Sequence, residues 1–248
     1  MKLRILSKLI LFLVVISCSS QETPTGKTQA EVLYKEAKQL MDDGRYIMAT
    51  EKLNQIKSQF PYSYYSTHSE LLLADVLYLQ ESYVEASAAY IVFRDFHPKY
   101  KELDYVIYKI AEAFYKQVPD TFDRDLTSAS EAIRYFDELL LKYPGTKHEE
   151  EAKKKMGHAK KMIRNKEKYI ADFYFKTKVY SAARYRYLKI LREFNEKSLM
   201  QHSMSRVIQA SYKLGKMDEC GTYVKKYFDL LGGPSKIKIK KIVTKCLK

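Results

Sequence analysis

Histidine, cysteine and paired carboxylates are where chemistry would show first, and this 248-residue chain arranges them poorly for it. His68, His97, His148, His158 and His202 are scattered, without the short spacings that gather metal ligands on one helix or turn. No glycine-rich phosphate loop, His-Glu-x-x-His or Gly-x-Ser-x-Gly occurs. The residues point away from catalysis, and no cofactor or metal is expected. Tyrosine is abundant instead, 22 with no tryptophan, among 44 Lys and Arg against 30 acids, a formal charge of +14. Tyrosine gives rigid amphipathic contact area and lysine or arginine pairs with carboxylates, so recognition of polypeptide is the chemistry on offer. Arg184, Arg186, Lys189 and Arg192 lie within nine residues with no acid between them. At helical spacing Arg186, Lys189 and, a little round, Arg192 form a basic stripe with Arg184 nearby, either merely solvated or met by an acidic partner. A lysine-rich run from Lys147 to Lys155 contains Glu149, Glu150 and Glu151, so it reads as a solvated helix face and not as a nucleic-acid patch.

The elements that must position these residues are helices in a repeating unit. Tyr46, Ala49, Leu53, Ile56, Phe60 and Pro61 are echoed by Tyr83, Ala86, Tyr90, Phe93 and Pro98, and by Ala132, Phe136, Leu139 and Pro144. Degraded copies follow at Tyr180, Ala183, Tyr187 and Ile190, with Asn195 in place of Pro, and at Met217, Cys220, Val224 and Tyr227. Upstream, Ala37, Ala74 and Ala171 each precede the central alanine by twelve residues. Such a unit decides the architecture. Alanine permits the close approach of two helices, and proline closes the second of them because it lacks an N–H and clashes with the preceding turn.

This unit resembles the tetratricopeptide repeat, which implies an all-α, α-solenoid fold of about five repeats with a C-terminal capping helix. The repeats are expected at about 30–63, 67–100, 104–146, 164–197 and 201–233, with the cap at 235–247. In the third, 21 residues separate Ala111 from Ala132, nine more than in the others, and the excess falls on residues 117–125. That loop either projects toward a partner or is tolerated spacing. In tetratricopeptide repeats the first helix of each pair commonly offers its concave face to peptide. Counting from the alanines places Tyr34, Lys38, His68, Tyr78, Tyr108, Tyr115 and Lys116 there. On the cap, Ile239, Ile242, Val243 and Cys246 form one stripe, with lysines turned to water or to anionic lipid.

Residues 1–17 read as a signal peptide, since Lys2, Arg4 and Lys8 precede an apolar run, Leu9 to Ile16, too short to span a bilayer. The run ends Val15-Ile16-Ser17-Cys18, which resembles a bacterial lipobox, making Cys18 the lipidation site and residues 18–29 a flexible tether. An ordinary secretory signal with an incidental cysteine is the alternative. Cys220 and Cys246 remain, either as core residues or as a disulfide.

The lipobox, the repeats and Asp123-Arg124-Asp125 ahead of Ala132, Phe136, Leu139 and Tyr143-Pro144 together resemble the BamD family of outer-membrane assembly lipoproteins. Phe60-Pro61-Tyr62, Asp104-Tyr105-Val106-x-Tyr108 and Tyr169-x-Ala-x-Phe-Tyr174 add to the likeness, which covers about residues 30–231. It implies a non-enzymatic scaffold subunit of the machinery that assembles β-barrel proteins, lipid-anchored in the outer membrane of a Gram-negative bacterium and facing the periplasm. It also implies that the early repeats bind C-terminal segments of unfolded outer-membrane proteins. The later repeats would dock on the periplasmic domain of a central barrel subunit, where Arg186 matches the family's docking arginine and Arg184 lies nearby. Companion lipoproteins are left open. The alternative is another tetratricopeptide lipoprotein that scaffolds peptidoglycan, division or secretion-system factors.

Overall fold

A computed structural model describes residues 28–248, and in that range the chain is helical without a strand. The signal segment, Cys18 and most of the tether fall outside the described residues. The helices are α1 (Gln29–Asp42), α2 (Tyr46–Gln59), α3 (Tyr64–Leu79), α4 (Tyr83–Phe96), α5 (Leu103–Lys116), α6 (Thr127–Lys142), α7 (Glu149–Lys176), α8 (Tyr180–Glu193), α9 (Lys197–Lys213), α10 (Met217–Tyr227) and α11 (Gly233–Cys246). Two compact units divide the described residues, one up to residue 76 and one from 77 to 248.

The crossing positions behave as their size requires. Ala37, Ala49, Ala74, Ala86, Ala111, Ala132, Ala171, Ala183 and Cys220 are all wholly inaccessible. In the first unit Ala37 and Ala49 share a core with Leu33, Leu53, Ile56 and Val76. In the second, each helix from α4 to α10 packs on its successor, the local pairing of a repeat protein. Tyr187, Ile190, Val207, Ile208 and Ile239 fill the core near the C-terminus, and the cap α11 closes it with Ile239, Val243 and Cys246. Cys220 and Cys246 form a disulfide, joining α10 to the end of α11.

The turns within four helix pairs share one device. Gly44, Glu81, Lys178 and Gly215 each lie five residues before a crossing residue, and each has positive φ: 72°, 60°, 65° and 72°. The following N–H donates to the carbonyl five residues back: Arg45 to Leu40 at 2.7 Å, Ser82 to Leu77 at 3.0 Å, Val179 to Tyr174 at 2.9 Å, Lys216 to Ser211 at 3.2 Å. This Schellman geometry satisfies the last carbonyls of the first helix, and glycine adopts it without strain.

The third pair departs from the pattern. Its enlarged loop neither projects as a whole nor serves as bare spacing. Val118, Phe122 and Leu126 pack against Ala129 of α6 and Ala159 and Met162 of α7. Lys166 of α7 donates to the Arg124 carbonyl. Asp125 accepts from the Thr127 N–H at 3.0 Å and its hydroxyl at 3.1 Å, which satisfies the first N–H of α6. The run of acids and then bases from Glu149 opens a single helix of 28 residues, α7, which serves the third pair with its start and the fourth with its end.

Candidate functional site

The residues counted onto the first helices fall into separate groups. In the first unit, Tyr34 of α1 lies 5.4 Å from the ring of Tyr65 and 6.3 Å from that of His68. His68 in turn lies 3.9 Å from the exposed Tyr64 ring, and its Nδ1 is 2.9 Å from the Tyr64 carbonyl. Lys38, one turn beyond Tyr34, is exposed.

In the second unit a cleft of about 530 Å³ brings together Tyr78 of α3, Glu112, Tyr115 and Lys116 of α5, the Val118–Asp120 loop and Glu151, Lys155 and His158 of α7. Lys155 is the cleft's anchor. Its ammonium donates to the carboxylates of Glu112 and, at 2.7 Å, Glu151, and at 3.1 Å to the Tyr108 hydroxyl. Burial alone would lower the Lys155 pKa, but these carboxylates outweigh it and hold the ammonium above the usual lysine range. Glu151 is correspondingly held low by its bonds from Lys155 and Tyr108. Burial, and then the nearby carboxylates, push the phenols of Tyr78 and Tyr108 well above their ordinary range. The shifts therefore fix charges in place and leave the phenols as neutral hydrogen-bonding groups.

Tyr108, placed on the groove surface by counting, is a correction. It is 5% exposed, its ring stacked on His148 at 4.1 Å, so it holds Lys155 through its hydroxyl and offers no contact face. Tyr78 and Tyr115 are half-buried, and Tyr115 is 3.1 Å from Nδ1 of His158. Lys116 is exposed, its ammonium 5.9 Å from the Tyr83 ring, and makes no ion pair among the described residues. Glu112, Lys155 and His158 were not singled out from sequence. The signal available was their helical register: Glu112 lies one turn after Tyr108, while Lys155 was hidden in a run that reads as solvated.

The basic stripe of α8 is compensated more than its sequence suggests. Arg186 lies 3.3 Å and Lys189 2.6 Å from the two oxygens of Glu167, whose side chain is 12% exposed on α7. Arg184 pairs with Glu219 and donates at 3.4 Å to Ser211. Arg192 alone of the four makes no ion pair among the described residues. It borders a cleft of about 790 Å³ with Ile133, Ile163, Leu191, Phe194 and Met200. Lys189 also lies 3.7 Å from Glu193, one turn further along α8, but Glu167 and Glu219 come from other helices, where no count along α8 would find them.

The family model for YfiO, outer membrane lipoprotein, matches residues 26–226. A Neisseria meningitidis protein named outer membrane protein assembly factor BamD is 27% identical over 228 residues, 86% of this chain and 85% of its own length. Proteins of the same name from Vibrio cholerae (26% identical; 88% of this chain, 94% of theirs) and Rickettsia prowazekii (27%; 90% and 88%) align similarly. Among solved structures, the TPR2AB-domain:pHSP90 complex of yeast Sti1 overlays with a TM-score of 0.43 at 14% identity, covering 88% of this chain and 82% of that one. A tetratricopeptide repeat protein from Parabacteroides merdae overlays with a TM-score of 0.39 at 13% identity, covering 88% and 89%.

Proposed function

The chain belongs to the YfiO family of outer membrane lipoproteins, and on that premise we propose that it is a non-catalytic assembly factor for outer-membrane β-barrel proteins. Relatives bearing that assembly name align along most of its length. Among the described residues no helix is long and apolar enough to cross a membrane. Attachment through lipid on Cys18, with the helical units in the periplasm, follows from the sequence reading.

The observation that carries the substrate side is the cleft beside Tyr78, Tyr115 and Lys116. Half-buried rings with one uncompensated ammonium at the edge suit the end of an unfolded barrel strand, where an aromatic side chain neighbours the terminal carboxylate. Tyr34, Lys38 and His68 offer the same residue types on the first unit. The α8 stripe, through Arg186 with Arg184, Lys189 and Arg192, is the surface for the periplasmic domain of the central barrel subunit. Its four cations still exceed Glu167, Glu193 and Glu219 by one charge, which supports an acidic partner.

The test is a fluorescent peptide ending in an aromatic residue. Its free-acid form should bind about tenfold more tightly than its amide, the worth of one charge-assisted contact of ~1.4 kcal/mol. Lys116→Gln should erase that difference while leaving amide binding intact. Equal affinity of acid and amide for the unaltered protein removes Lys116 from the reading, and no binding of either removes the cleft.

A further inference from the structure

The lysines of α11 have no part in the assembly reading. After Asp229 the chain holds Lys236, Lys238, Lys240, Lys241, Lys245 and Lys248 and no acid. The helix turns Ile239, Val243 and Cys246 into the core. With about 3.6 residues per turn, Lys241 and Lys245 then fall on the opposite face with Lys238 at its flank, and Lys248 follows the end of the helix. Ile237 stands on that same face, 78% exposed. None of the six lysines makes an ion pair among the described residues. Lys245 donates to the Tyr212 hydroxyl at 3.2 Å, and Lys236 lies 5.4 Å from the Phe228 ring. At the end of the helix a cleft of about 360 Å³ gathers Lys225, Lys245 and Lys248 beside Thr222, Met217 and Leu247, with Asp218 as its acid. Met217 and Leu247 are 44% and 54% exposed.

We propose that this face docks on an anionic membrane, the cleft taking a phospholipid headgroup phosphate while Ile237, Met217 and Leu247 enter the boundary between headgroups and acyl chains. Three observations favour lipid over an acidic protein. The cations are all lysines, compact and strongly hydrated, which are depleted from the cores of protein interfaces but track a headgroup layer readily. Their stems can lie along apolar surface while the ammonium groups stay in water, an arrangement that a lipid boundary tolerates and a dry protein contact does not. Apolar side chains stand exposed among them with no acidic counterpart on the same helix. The disulfide to α10 and the buried stripe hold the helix in place, so the face is presented by a fixed scaffold.

The experiment is co-sedimentation of the mature chain, carrying Cys18→Ser so that no acyl chain contributes, with vesicles of phosphatidylethanolamine alone or with phosphatidylglycerol added. Binding should require phosphatidylglycerol and weaken with salt. Each lysine near an anionic surface contributes about fivefold, so Lys238→Gln, Lys241→Gln, Lys245→Gln and Lys248→Gln together should weaken binding by about two to three orders of magnitude. Because these side chains are exposed, the variant should keep its melting temperature. A control with the same charge loss on α7, Lys153, Lys154, Lys160 and Lys161 each to Gln, should bind as the unaltered chain does. Binding indifferent to phosphatidylglycerol, an equal loss in the control, or full competition by inorganic phosphate would each overturn the proposal. So would a quadruple variant that keeps its vesicle binding but loses affinity for the central subunit's periplasmic domain.

Discussion

Gly221 offers a test in which the sign of the effect is set by one contact. It sits inside α10, buried, and a Cβ built on it would lie 2.9 Å from the backbone oxygen of Cys246 on α11. That oxygen belongs to backbone and is tied through its own residue to Cys220, with Cα atoms 5.5 Å apart. Neither helix can yield by rotating a side chain, so Gly221→Ala must push α11 away. Helix propensity alone favours alanine by up to ~1 kcal/mol, whereas a forced methyl in a packed interface costs ~1–3 kcal/mol. The expected net loss is ~1–2 kcal/mol, read as a melting midpoint lower by about 2–8 °C. Gly157, inside α7, is the internal reference: a Cβ there meets nothing within 4 Å. Gly157→Ala should therefore raise the midpoint by ~1–4 °C through propensity alone. Thermal melts by circular dichroism of both variants, with and without reductant, read the two signs. Reduction frees the end of α11 and should shrink the Gly221→Ala loss. A Gly221→Ala midpoint at or above the unaltered protein's would refute the close approach, and a loss unchanged by reduction would refute the disulfide's share in it.

Other perturbations follow from the same geometry. Asp172 accepts from Tyr187, from His202 at 2.7 Å and from Lys168 at 2.6 Å; burial alone would raise its pKa, but these bonds outweigh it and hold the carboxyl well below the usual range. Its folded pKa being depressed, the stability it contributes is present above the unfolded value near ~4 and is lost as pH falls below that. Asp172→Asn should thus cost ~1–3 kcal/mol at neutral pH and flatten the decline of the melting point in acid, which melts across that range would check. Lys178 holds φ 65° without being glycine, so Lys178→Gly should gain up to about 1 kcal/mol, and a lower melting point would contradict the strain assigned to that turn. Arg186→Glu sets a second carboxylate beside Glu167 and should weaken binding to the central subunit's periplasmic domain by ~2–5 kcal/mol at low salt and less at high salt, with Lys176→Glu as the neutral control. Titration calorimetry that finds Arg186→Glu unchanged at both salt levels would move the docking surface elsewhere.

Sequence by itself determined the helical repeat. Alanine at a twelve-residue spacing leaves a helix pair little freedom, because only a small side chain lets two backbones approach, and every alanine so counted is inaccessible. Proline likewise announced the ends of α2, α4 and α6, each of which stops two residues before it, since the residue ahead of proline is driven out of the helical region. α8 ends at the matching place before Asn195, where Phe194 turns extended with ψ 146°, although no proline compels it. Only the tertiary structure decided the rest. Glu81 and Lys178 adopt the left-handed turn that glycine holds at Gly44 and Gly215, because the crossing of the flanking helices demands it and outweighs local preference. The loop before α6 turned inward because Phe122 and Leu126 could be buried against α7, a helix more than twenty residues away. Tyr108 became buried instead of surface for a similar reason, covered by His148 at the residue before α7. Arg186 and Lys189 found Glu167 as their partner, and Lys155 found Glu112. Periodicity reports which face of a helix is apolar, but the partner of a charged side chain is chosen by which helices meet, and that is settled only when the whole chain packs.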